Sequence, residues 1–114
     1  MTTKMTGAEI AATRHLLGLS PTDLAYQLGV SRQSVKDWER GRFTAREGVV
    51  GDLYARRAAH DAETARLIHG AQDGVPIGLL SGPKPRGWYL ALGARVLDAV
   101  PDAMLEWAED LGVA

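Results

Sequence analysis

The stretch from Ser20 to Gly41, SPTDLAYQLGVSRQSVKDWERG, decides how the rest of the chain is read. Ser20 precedes Pro21, Thr22 and Asp23. This gives a serine cap, a proline where its missing N–H costs nothing, and an acid against the positive end of a helix. Leu24, Ala25 and Leu28 then form an inner stripe that Gly29 stops, which predicts a helix over 21–28. Ser31 caps a further helix that reaches Arg40, with Gly41 as its stop. Only Val35 and Trp38 in that helix are large and apolar, so most of its surface is polar and faces outward. Two short helices joined by a tight Gly-containing turn make a helix-turn-helix, with Ala25 small enough for the two backbones to approach at their crossing.

Outward from this unit the same signals recur. Thr6 and Glu9 have the T-x-x-E spacing of a capping box, and Ile10, Thr13, Leu16 and Leu17 follow at helical spacing until Gly18, predicting a helix over 7–17. Downstream, a long helix is predicted from Glu47 to His69 or Ala71. Its large side chains sit at the ends, and Ala55, Ala58, Ala59, Ala62 and Ala65 lie between them. Such alanines admit a closely packed helix from this chain or a second copy; they equally suit an exposed segment selected for helix propensity. A turn and a short apolar run from Val75 to Leu80 come next, and the prolines at 83 and 85 mark residues 81–87 as a loop. Helical patterns over 88–100 and 101–111 close the chain.

The expected fold class is therefore all-α, with at most one short strand near 75–80. The division expected is a helix-turn-helix domain over 1–46, then a long connecting helix and a small, mostly helical dimerisation region over 47–114.

The net charge of −1 conceals an asymmetry. Residues 1–57 carry nine Lys/Arg against six Asp/Glu, whereas residues 58–114 carry four against eight. An N-terminal half suited to an anion and an acidic C-terminal half follow from this. There are no cysteines, so thiolate metal sites, disulfides and a cysteine nucleophile are excluded. His15, His60 and His69 lack the i, i+4 spacing of a zinc-binding helix, and no G-x-S-x-G, P-loop or G-x-G-x-x-G occurs. No catalytic residue, metal or cofactor is expected. No run of 18 apolar residues and no signal-peptide pattern occurs, so the expectation is a soluble, cytoplasmic protein away from membranes.

Residues 14–41, RHLLGLSPTDLAYQLGVSRQSVKDWERG, resemble the Cro-like phage-repressor helix-turn-helix family, the XRE type. The shared pattern is an Arg on the first helix, then G-L-S-x-x-(D/E)-L-A-x-x-L-G-V-S, then a third helix ending W-E-x-G. The resemblance runs from Thr6 to about Leu53. In place of the family's two further short helices stands one long helix. The C-terminal half is faintly similar in segment order to small autoregulators associated with anti-CRISPR operons.

The resemblance implies a sequence-specific regulator of transcription whose third helix enters the major groove of double-stranded DNA. Carried onto this chain, Arg32, Gln33, Lys36 and Asp37 become the base-reading set. Their chemistry fits: Arg bridges guanine O6 and N7, Gln pairs with adenine N6 and N7, and Asp accepts from cytosine N4. Phosphate contacts are expected from Ser20, Thr22, Ser31, Ser34, Arg40, Arg42 and Arg46. Pro21 replaces a Gln that touches the DNA backbone in many relatives. Arg14 and Glu39 match the family's internal ion pair. A homodimer reading an inverted repeat is implied, acting as repressor or autorepressor, with Trp88, Leu92, Met104 and Trp107 as candidate interface residues. The alternative is an antitoxin-type protein that binds a partner toxin and autoregulates its operon.

Overall fold

The computed structural model describes residues 4–79 and 82–111. Among them are five α-helices, α1 (Gly7–Leu16), α2 (Pro21–Leu28), α3 (Arg32–Glu39), α4 (Glu47–Gln72) and α5 (Arg86–Ala99). Two short strands, β1 (Ile77–Leu79) and β2 (Leu105–Trp107), and a 3-10 helix (Ala108–Leu111) complete them. The fold is mostly helical, as the periodicity predicts. It divides into two compact units, residues 1–58 and 59–114, with the division inside α4.

In the first unit the expected caps are in place. Thr6 accepts from the Glu9 amide at 3.1 Å while Glu9 accepts from the Thr6 amide at 2.7 Å. Ser20 and Asp23 repeat that exchange at α2, and Ser31 caps α3 through the Ser34 amide. At Gly29 (φ 69°) and Gly41 (φ 74°) the chain reverses in the left-handed conformation. There the amides of Val30 and Arg42 bond back to the carbonyls of Ala25 and Asp37. A side chain is strained in that conformation, which is why glycine stands at both stops. Ile10, Leu17, Leu24, Val35, Val50 and Leu53 are each buried to within 1% and form the centre of the unit. Ala25 is 4% exposed, as a helix crossing requires. At roughly 1.5–3 kcal/mol for each large aliphatic side chain, this core is what turns short helices, marginal alone, into a fixed scaffold.

The second unit corrects two expectations. Residues 101–111 are not a helix: a turn at 101–102 leads into β2, and only 108–111 is helical, as a 3-10 turn. Among the described residues there are thus two strands where at most one was expected. Met104, Leu105, Trp107, Ala108 and Leu111 fit a helical period, yet Leu105 and Trp107 also fit the two-residue period of a strand, and so short a run is ambiguous. A partner distant in sequence decides it. β2 pairs in parallel with β1, Ile77 opposite Leu105 and Leu79 opposite Trp107. Parallel neighbours need a crossover, and α5 provides it. Of the predicted run 75–80, residues 77–79 form β1, and Leu80, like the first loop residue Ser81, lies outside the described residues.

Trp88, Leu92 and Val96 on α5 are buried in the unit's core. Gly93 packs close against the sheet, where a Cβ would stand 3.0 Å from Leu79 Cδ1 and 3.2 Å from Leu105 Cδ1. His60 on α4 is fully buried, its ring edge-on to Trp88 at 4.7 Å between centroids. Its Nδ1 lies 2.9 Å from an Arg95 guanidinium nitrogen and its Nε2 lies 3.3 Å from the Trp88 carbonyl oxygen. A guanidinium only donates, so Nδ1 accepts and Nε2 carries the hydrogen. Arg95 also pairs with Asp61 at 2.8 Å. Among the described residues no buried side-chain nitrogen or oxygen lacks a partner.

Candidate nucleic-acid interface

α3 is divided lengthwise. Val35 (0% exposed) and Trp38 (9%) point into the core, while Ser31, Arg32, Gln33 and Arg40 are exposed and Ser34, Lys36 and Asp37 are half-buried. Arg42 and Arg46, which follow the helix, are exposed. The structure therefore gathers these expected residues on α3 and the segment just beyond it.

Two contacts fix the pose of this helix, and a third ties α2 to α4. The Arg14 guanidinium donates from Nε to Glu39 Oε2 at 2.6 Å, from NH2 to Glu39 Oε1 at 3.0 Å, and from NH1 to the Leu19 carbonyl at 3.0 Å. Both side chains of the ion pair are largely buried, and the hydrogen bond to Glu39 raises the Arg14 pKa although burial opposes it. One arginine thus ties α1, the loop before α2 and the end of α3. The second contact is at Gly7, where an added Cβ would stand 2.6 Å from the Trp38 carbonyl oxygen and closer still to that of Glu39. Only glycine lets α1 approach the end of α3 so nearly.

The third contact has no motif in the sequence. Arg56, on α4, donates to Asp52 at 2.6 Å and to Gln27 at both its side-chain oxygen (2.5 Å) and its carbonyl (3.2 Å). α2 has no basic residue in its own last turn, so Arg56 supplies the cation that end favours. Arg56 lies 29 positions from Gln27, which local patterning cannot read. Its one sequence signal is Asp52 at i, i−4.

Within the polar set, the Gln33 amide nitrogen donates to Asp37 Oδ1 at 2.9 Å. The amide keeps its second hydrogen and its carbonyl oxygen for another ligand. Asp37, expected to read a base, accepts this bond through one carboxylate oxygen. The hydroxyls of Ser31 and Ser34 are 3.0 Å apart and bonded to each other. At the start of α2 the capping box occupies the Ser20 and Asp23 amides, and Pro21 has none. Exposed Thr22 and the Ser20 hydroxyl remain there to meet an anion, against the repulsion of the nearby Asp23 carboxylate. Two exposed aromatics were not anticipated: Tyr26 on α2, 88% exposed, and Phe43, 60% exposed with the Arg42 guanidinium 5.9 Å above its ring.

The candidate interface residues of the second unit are scattered. Trp88 and Leu92 are buried within it, Trp107 is half-buried beneath the Arg86 guanidinium at 3.7 Å, and Met104 is 59% exposed. Ala55, Ala58, Ala59, Ala62 and Ala65 of α4 are all exposed. Among the described residues no group of three His, Cys, Asp or Glu is placed to hold a metal, and no helix is long and apolar enough to cross a membrane.

A capped α2, a left-handed turn and a half-buried α3 braced by α1 define a helix-turn-helix domain, the architecture with which DNA-binding proteins present a helix to the major groove. The sequence model of the helix-turn-helix domain family matches residues 7–67, more than half of the chain, and the chain belongs to that family. A comparison with curated proteins finds no match.

Proposed function

We propose that the chain is a soluble, cytoplasmic regulator of transcription that binds double-stranded DNA sequence-specifically as a homodimer and represses its own promoter. The observation that carries this reading is the division of α3, with Val35 and Trp38 inward and Arg32 and Gln33 outward at its N-terminal end. In this family's docking mode that end faces the base edges. Arg32 then bridges guanine O6 and N7, and Gln33, steadied by Asp37, pairs with adenine N6 and N7. Lys36 reads a guanine or holds a phosphate. Phosphates are met by Arg40, Arg42 and Arg46, with Ser20, Thr22, Ser31 and Ser34 as hydroxyl donors. Arg14 and Glu39 hold the helix and touch no DNA.

One such helix covers few base pairs. Two copies on an inverted repeat, with half-sites about 34–36 Å apart, give the length of site that specificity requires. The test is a gel shift with footprinting on the DNA upstream of the gene, at two salt concentrations. Protection of an inverted repeat is expected, steeply weakened by salt because phosphate contacts release counterions. Equal affinity for scrambled DNA would exclude a specific regulator.

A further inference from the structure

We propose that the outer face of α5 is a self-association surface, on which a second copy of the chain packs its own α5 antiparallel to the first. This deepens the dimeric reading above and rests on it, though its support is separate. Arg86, Leu90, Ala94 and Leu97 follow one another at helical spacing on the exposed side of α5. Leu90 is 51% and Leu97 40% exposed, while the opposite side of the helix carries the unit's core. Neither leucine is among the buried residues of that core.

The shape suits a second helix. On one side of the ridge Leu79, Leu90, Leu105 and Trp107 line a groove of about 230 Å³. On the other side Thr64, Ile68, Ala94 and Asp98 line one of about 540 Å³. A ridge between grooves is how helices interlock, and Ala94 near its middle admits a close approach.

Charge selects the occupant and its direction. Arg86 opens α5 and Asp98 lies in its last turn, with no acid in the first turn and no base in the last. Each charge therefore faces the like-signed end of the helix macrodipole, an arrangement unfavourable in an isolated helix. An antiparallel copy of the same helix reverses the sign of both encounters. Aligning Leu90 of one copy with Leu97 of the other leaves each Arg86 about one helical turn from the other copy's Asp98. The Arg86 guanidinium is already extended over Trp107 at 3.7 Å, at the edge of the groove that would receive the other leucine.

Sedimentation velocity of the full chain without DNA, over a concentration series, tests this. The wild type is expected to dimerise. Leu90→Glu with Leu97→Glu should raise the dimer dissociation constant about tenfold or more, as loss of a buried anchor does, with the circular dichroism spectrum unchanged. Arg86→Glu and Asp98→Arg should each weaken association, and the double exchange should restore it. Asp98→Arg is the more telling single change, because an arginine in the last turn suits the helix's own dipole. A wild type that stays monomeric overturns the proposal, as does a dimer indifferent to the leucine pair, or a double exchange no better than the singles. A monomer that uses this face for a different protein overturns it too. Association through α5 without any DNA binding upholds the surface and removes the regulator reading instead.

Discussion

Arg14 meets Glu39 with two nitrogens, 2.6 and 3.0 Å from the two carboxylate oxygens, and so joins the first helix of the domain to the end of its third. Arg14→Ala and Glu39→Ala each strand the remaining charge where water reaches it poorly. Because both side chains keep some exposure, 19% and 15%, the loss should fall toward the lower end of the ~3–5 kcal/mol typical of broken buried pairs. Urea denaturation measures it. Additive losses in the double variant would show that the two residues act separately.

Gly7→Ala reverses the usual sign of a helix substitution. On an open helix the exchange favours folding by about 1 kcal/mol. Here the methyl carbon meets the backbone carbonyls of Trp38 and Glu39, which cannot step aside without moving α3. The thermal midpoint should fall, and a rise would mean that the approach of α1 to α3 is looser than the geometry states.

Arg32→Ala should cost about 1–3 kcal/mol of discrimination at one base pair and leave binding to mismatched DNA nearly unchanged. Arg42→Ala should weaken binding to every sequence alike and lower the salt slope by about one. Titrations against operator and scrambled DNA separate the two. Identical behaviour of the variants would contradict the roles assigned to them.

Asp37→Ala tests whether that carboxylate orients Gln33 or reads a base itself. If it orients Gln33 through the 2.9 Å hydrogen bond, discrimination should relax at the base pair that Gln33→Ala also affects, and the two losses should not add. A separate position, sensitive to Asp37 alone, would assign it a base of its own.

Arg56→Lys keeps a charge at the end of α2 but gives up the fork that spans Asp52 and Gln27. A destabilisation of about 1.5–3 kcal/mol is expected, the range for hydrogen bonds to charged groups. Retention of full stability would make the contact incidental.

The first unit was legible because its instructions are local. Thr6, Ser20 and Ser31 each announce a helix within four residues of its start, and Gly18, Gly29 and Gly41 each end one. That most of α3 faces outward followed from its two apolar anchors, whereas the base-reading set came from the family resemblance. What escaped was non-local. Arg56 finds Gln27 across the fold, and the bond between Gln33 and Asp37 depends on rotamers. In the second unit Trp88 and Leu92 could be placed on one face of α5, but not assigned to this chain's own core rather than a partner's. β2 was missed because the hydrogen bonds that make it a strand come from Ile77–Leu79, on the far side of α5.

That last pairing also orders events in time. The ladder between β1 and β2 can close only after the whole of α5 has been traversed, so its contacts form against the entropy of a long loop. α1 to α3, by contrast, meet neighbours close in sequence and should assemble early. β1 has no sheet until residues 105–107 arrive. A chain shortened at Asp102 would therefore lose its partner strand, and Ile77 and Leu79 would be left with hydrogen-bonding edges and apolar side chains open to any other strand that met them.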